Sequence, residues 1–134
     1  MNNDTADIYS LLRSKINSFS KISNNDWEML VPFLETKSLQ KNEFFIREGK
    51  RAFEIGFVLE GTLRQFYNKD GEEKTTYFFF EKDFISSYIS CITNQPSLIT
   101  IEALSNVTYI SFPYNILTDS FNRSMAWQQF GRVI

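Results

Sequence analysis

Apolar positions near the start of the chain recur at a helical period. Ile8, Leu11, Leu12, Ile16 and Phe19 fall at i, i+3, i+4, i+8 and i+11, which predicts an amphipathic helix with Asp4 or Thr5 as its N-cap. Ser23-Asn24-Asn25-Asp26 has the form of a capping box, with Asp in place of the usual Glu. It opens a second helix whose buried face is Trp27, Leu30, Val31 and Leu34. Pro32 removes a backbone donor, so a kink or a tightened last turn is expected there. From Thr36 the period shortens. Lys37 to Gln40 and Glu43 to Arg47 read as short strands around a turn at Lys41-Asn42, followed by a polar connector broken at Gly49.

Glu54 to Phe80 holds three β-rich runs divided by Glu60-Gly61 and Asp70-Gly71. Asp-Gly between such runs signals a tight hairpin, because the primed turn needs positive φ, and Glu60-Gly61 is a weaker version of the same signal. The expectation is an antiparallel meander. Its last run, Thr75 to Phe80, is β-branched and aromatic throughout, as for a strand buried on both faces or at a sandwich corner. Tyr77 to Phe80 are expected in the core; the competing reading, a base-stacking platform, lacks basic neighbours. Glu81 to Ser97 is a long hydroxyl-rich connector with a short helix around Ser86 to Thr93, closed by a turn at Asn94 to Pro96. Long connectors in compact domains are often functional.

Leu98 to Leu104 and Val107 to Phe112 read as two further strands. Pro113 suits the first position of a helix with Tyr114, Leu117 and Phe121 on one face, and a last helical run carries Trp127, Phe130 and Ile134. The fold class is therefore mainly β (α+β). It is a single domain, an antiparallel β-roll or jelly roll of about eight strands, with N-terminal helices over residues 4–34, the roll over 36–112 and C-terminal helices over 113–134.

Composition narrows the chemistry. The chain has 134 residues, enough for one real core, and 43% apolar and 16% aromatic content place it among packed globular domains. A net charge of −2, with Lys50-Arg51 the sole adjacent basic pair, leaves no electrostatic footprint for nucleic acid. The absence of His and a single Cys, Cys91, remove His-based triads, His-ligated zinc, disulfide frameworks and cysteine-rich metal clusters. Glu54, Glu60, Asp83 and Glu102 form no pair whose context sets up acid–base roles, so no catalytic or metal-binding residue is assigned and no cofactor is expected. No apolar run reaches the roughly 18 residues of a membrane span, and Met1-Asn2-Asn3-Asp4 lacks the parts of a signal peptide. A cytoplasmic, reduced setting is the expectation. Cys91 is either a redox sensor or a small buried thiol; its neighbours Ile89 and Ile92 favour the thiol.

The order Phe44-Phe45-Ile46-Arg47-Glu48-Gly49, then Ile55-Gly56-Phe57-Val58-Leu59-Glu60-Gly61-Thr62-Leu63-Arg64, then Asp83-Phe84-Ile85 resembles the cyclic-nucleotide-binding domain of Crp/Fnr-type transcription regulators over residues 21–134. The resemblance implies a β-roll whose connector is a phosphate-binding cassette, followed by a dimerising helix and a winged helix-turn-helix that binds DNA. Ser86-Ser87 stand where the family's cassette has Gly-Glu, and Ser97-Leu98 where it has Arg-Ser or Arg-Thr. No Arg or Lys occurs between Lys82 and Arg123, so a buried phosphate would lack its charge-assisted partners and cyclic AMP is not the expected effector.

The candidate effector pocket is Ser86, Ser87, Tyr88, Ser97, Leu98 and Thr100. Two readings of its hydroxyls stay open: they satisfy the local backbone, or they receive a less anionic effector. Trp127, Phe130 and Ile134 either pack on the domain or form the seam of a homodimer. The resemblance implies an effector-sensing regulatory domain, not an enzyme, that contacts DNA only through a helix-turn-helix absent from this chain, with the reading frame continuing past Ile134. The alternative is a stand-alone ligand-binding or degenerate structural β-roll that acts through protein partners.

Overall fold

In the computed structural model the described residues are 3–19 and 21–116. The N-terminal stripe folds as α1, Asn3–Phe19, which starts earlier than the expected cap, so Asp4 and Thr5 lie inside it. Leu12 and Ile16 are fully buried while Leu11 turns outward. Ser23 serves as the N-cap of α2, Asn24–Leu30: its Oγ accepts from Asp26 N at 3.1 Å, the N-cap bond of the expected box. Pro32 tightens the chain into a 3₁₀ turn over Val31–Phe33, because a residue without an N–H cannot close the wider helical ring.

Eight antiparallel strands follow in two four-stranded sheets. They are β1 Glu35–Leu39, β2 Phe44–Ile46, β3 Glu54–Glu60, β4 Leu63–Lys69, β5 Glu72–Phe79, β6 Phe84–Ile85, β7 Thr100–Ala103 and β8 Val107–Pro113. One sheet has the order β1-β8-β3-β6 and the other β2-β7-β4-β5. A short helix α3, Tyr88–Thr93, stands between β6 and β7. The first sheet is covered on both faces. Ile55, Phe57, Ile110 and Phe112 pack outward on Leu12, Ile16 and Leu30 of the helices. Val58 and Tyr109 pack inward on Leu63, Phe79, Ile101 and Ala103 of the second sheet. This is the expected β-roll.

The expected meander is not what forms. Asp70 (φ 54°) and Gly71 (φ 82°) make the tight β4–β5 hairpin, but β3 and β4 lie in different sheets. Gly61 is the corner between them: at φ 102°, a Cβ there would sit 2.4 Å from Asn106 O. The corner is pinned by Leu104 N donating to Thr62 O (2.8 Å) and Thr62 N donating to Ser105 Oγ (3.0 Å). Positive φ serves a corner as well as a hairpin, so the residue pair alone does not separate them.

The aromatic run differs too. β5 is an edge strand, and Tyr77, Phe78 and Phe80 are about half exposed, leaving Phe79 alone of the four in the core. Arg64, which the sequence suggests is a solvated strand residue, instead pairs with Glu73 (2.8 Å) and Glu102 (2.9 Å) across three strands and lies over the Phe66 ring at 4.1 Å. At the far end, Pro113 closes β8 and residues 114–116 turn helical. Leu117, Phe121, Trp127, Phe130 and Ile134, with the dimer seam expected of the last three, lie outside the described residues. No described helix is long and apolar enough to cross a membrane.

Candidate functional site

The connector after β5 is held in place by a missing side chain. Gly56 pairs with Ile85 across β3 and β6, and a Cβ at Gly56 would meet Ile85 Cγ1 at 2.7 Å. Only glycine lets β6 dock there, and that docking aims Ser86 and Ser87 at the edge of the roll. Helix α3 then runs for six residues and ends at Asn94, in left-handed conformation (φ 58°), whose N–H donates to Ser90 O. Asn tolerates this position better than most residues, and Pro96 prevents the helix from resuming.

Three contacts tie this cassette to the β2–β3 connector. Gly49 N donates to Ser97 O at 2.8 Å, Ser97 N to Lys50 O at 2.7 Å, and Ala52 N to Ser90 Oγ at 3.0 Å. The buried Ser90 hydroxyl in turn donates to Gln95 O at 2.5 Å. Ser87 and Ser97, both buried, share a hydrogen bond of 2.7 Å, and Ser97 Oγ also donates to Ile99 O (2.8 Å) and accepts from Ile99 N (3.2 Å). Thr100 Oγ1 accepts from Glu48 N at 3.0 Å. Most of the cassette's hydroxyls therefore hold its own backbone.

Between the cassette and β4 lies a cavity of about 720 Å³. Ser86, Ser87, Tyr88 and Leu98 line it, four of the six residues expected from the sequence. Ser97 is enclosed behind Ser87, and Thr100 faces the β2–β3 connector; neither is a lining residue. Ile89, Ser90, Thr93, Gln95, Pro96 and Ile99 complete the wall on the cassette side. The opposite side is Gln65, which sequence reading missed. Its signal was available, because Leu63 points into the roll and Gln65 follows at period two.

Among the described residues, no charged side chain lines this cavity. The nearby carboxylates are engaged elsewhere: Glu54 accepts from Lys37 Nζ (2.9 Å) and Ser111 Oγ (2.5 Å), and Glu102 from Arg64. Burial, reinforced by Glu54, pushes the Tyr109 hydroxyl above its ordinary value. Burial likewise raises Tyr88, whose ring meets Tyr114 edge-on with centroids 5.8 Å apart. The Cys91 thiol is raised by burial and drawn partly back by the Ser86 hydroxyl. Among the described residues, Ser86 Oγ is the buried side-chain polar atom without a partner in hydrogen-bonding geometry.

The cyclic nucleotide-binding domain family matches residues 36–124, which span β1 to β8 and include the whole cassette. In structure the chain is similar to the sensor domain of the transcriptional regulator DNR from Pseudomonas aeruginosa, with a TM-score of 0.77 at 15% identity over 89% of this chain and 79% of that one. It is similar to the regulatory domain of Toxoplasma gondii protein kinase A solved with cAMP, at TM-score 0.74 and 18% identity over 89% of this chain and 45% of that one. It also resembles the regulatory subunit of a cAMP-independent protein kinase A from Trypanosoma brucei, at TM-score 0.70 and 17% identity over 95% of this chain and 50% of that one. The chain thus spans half or less of the two kinase regulatory chains. At these identities the likeness is one of fold. No curated protein matches the chain in sequence.

Proposed function

The chain belongs to the cyclic nucleotide-binding domain family, and on that premise we propose that it is the effector-sensing domain of a Crp/Fnr-type transcription regulator whose effector is not cyclic AMP. The observation that carries the second half is the uncharged cassette cavity. A cyclic phosphate is anionic, and burying it without a cation forfeits charge-assisted hydrogen bonds that contribute roughly 1.5–3 kcal/mol each. The described wall around Ser86, Ser87 and Leu98 supplies no cation to replace them. A neighbour whose name describes it as cAMP-independent is compatible with this fold serving another effector.

The regulator itself is proposed on the fold shared with the DNR sensor domain. In this reading the chain is one domain that assigns no residue to catalysis, works in the cytoplasm, pairs through Trp127, Phe130 and Ile134, and reaches DNA through a separate helix-turn-helix. The test is thermal unfolding with millimolar cyclic AMP and cyclic GMP. The expected outcome is an unchanged Tm. A saturable rise, as when ligand at about a hundred times its Kd adds some 2.7 kcal/mol, overturns the reading. A second reading, a structural β-roll acting through protein partners, draws on the exposed Tyr77 and Phe78 of the edge strand and Phe80 just after it. It gains if no small molecule, nucleotide or otherwise, stabilises the fold.

A further inference from the structure

The cassette cavity has a size, a lining and an unmet polar atom that together specify a chemical class. Its volume of about 720 Å³ lies inside the range of roughly 300–1,000 Å³ typical of small-molecule sites. Ile89, Pro96, Leu98 and Ile99 make its wall mainly apolar. Two of them are presented outward: Ile89 is 64% and Leu98 75% exposed at its rim. Exposed aliphatic side chains around a concave surface mark a place where apolar area is to be covered.

The polar groups of the wall are mostly committed. Ser87 is bonded to Ser97, Ser90 to Gln95 O and Ala52 N, and Thr93 Oγ1 donates to Ile89 O at 2.6 Å. Gln65 Nε2 donates to Thr76 Oγ1 at 3.2 Å. Ser86 Oγ is buried and, beyond its approach to the Cys91 thiol, a weak partner, has none in hydrogen-bonding geometry. A buried hydroxyl left in this state is unfavourable, and a ligand atom that donates to it or accepts from it relieves it. Charge gives no direction to an ion. The adjoining cleft, which shares Gln65 and Ser86 with the cavity, carries Lys15 and Asp83, one of each sign.

We propose that the cavity takes an uncharged, mainly apolar small molecule with one hydrogen-bonding group directed at Ser86; this rests on the reading above that the cassette cavity is an effector site. Ile89 and Leu98 close over its apolar body, and Ser86 fixes its orientation.

The experiment uses Nile red, an uncharged apolar fluorophore, titrated against the full chain. Saturable one-to-one binding is expected, weakened about tenfold or more by Ile89→Glu and by Leu98→Glu, since each puts a carboxylate against the apolar body. Both positions are solvent-exposed in the free protein, so the variants keep the fold, which circular dichroism verifies. Phe78→Ser alters the other exposed apolar surface and should leave the affinity within about twofold, as expected for a site it does not touch. Unsaturable binding, or affinities in the two Glu variants equal to the parent's, overturns the proposal. Cyclic AMP that displaces Nile red overturns the effector reading of the previous section instead. Absence of Nile red binding with cyclic AMP inert overturns only the ligand class inferred here.

Discussion

Ser97 is 1% exposed and takes part in hydrogen bonds with Ser87 Oγ, Ile99 O and Ile99 N. At the residue scale this makes it a clamp on the cassette exit. Ser97→Ala should cost about 1–3 kcal/mol, because the buried Ser87 Oγ then loses its partner and Ile99 O a donor. Ser87→Ala should cost less, since Ser97 keeps its bonds to Ile99. The double variant should be more stable than the sum of the singles implies, by about 0.5 kcal/mol or more, because it removes both ends of one bond. Urea unfolding of the four proteins measures the coupling, and strict additivity would rule the clamp out. The serines were legible in the sequence as a cluster. That Ser86 faces the cavity while Ser97 faces Ser87 was not, because the choice depends on how β6 docks on β3 and how the cassette exit is tied to Gly49 and Lys50.

At the element scale, the two positive-φ glycines of the opening hairpin signals now play different parts. Gly71 has nothing within 4 Å of a built Cβ, whereas Gly61 faces Asn106 O and Val107. Gly71→Ala should cost about 1–2 kcal/mol, the left-handed strain alone. Gly61→Ala adds a backbone clash that cannot relax without parting two turns, so it should cost distinctly more; thermal unfolding of both variants checks the order. The capping box at Ser23, the 3₁₀ turn at Pro32, the Asp70-Gly71 hairpin and the helix inside the connector could all be read locally. Each rests on interactions within about four residues. The Gly61 corner could not, because the strands it joins pair instead with β8 and β7, which are remote in sequence.

For the whole molecule, the decisive feature is which surfaces the layers cover. The helices cover one face of the β1-β8-β3-β6 sheet, while β5 stands at the edge of the other. Phe78→Ser and Phe80→Ser should each change stability by no more than about 0.5 kcal/mol, as for other exposed positions. A loss of several kcal/mol in chemical denaturation would place them in a core instead. The same layering gives Arg64 its carboxylate partners, one from each neighbouring strand.

The sequence by itself determined the helix stripes, the tight hairpin, the β-rich middle, the family to which the order of motifs belongs, and the lack of any cation in the cassette. Those are matters of residue type and short spacing, and they hold in any packing of the chain. Tertiary structure alone decided that Glu60-Gly61 is a corner, that Tyr77, Phe78 and Phe80 face solvent, and that Gln65 from the second sheet completes the cavity under Ser86. Each depends on long-range strand pairing, where one residue of register sends a side chain to the opposite face of its sheet.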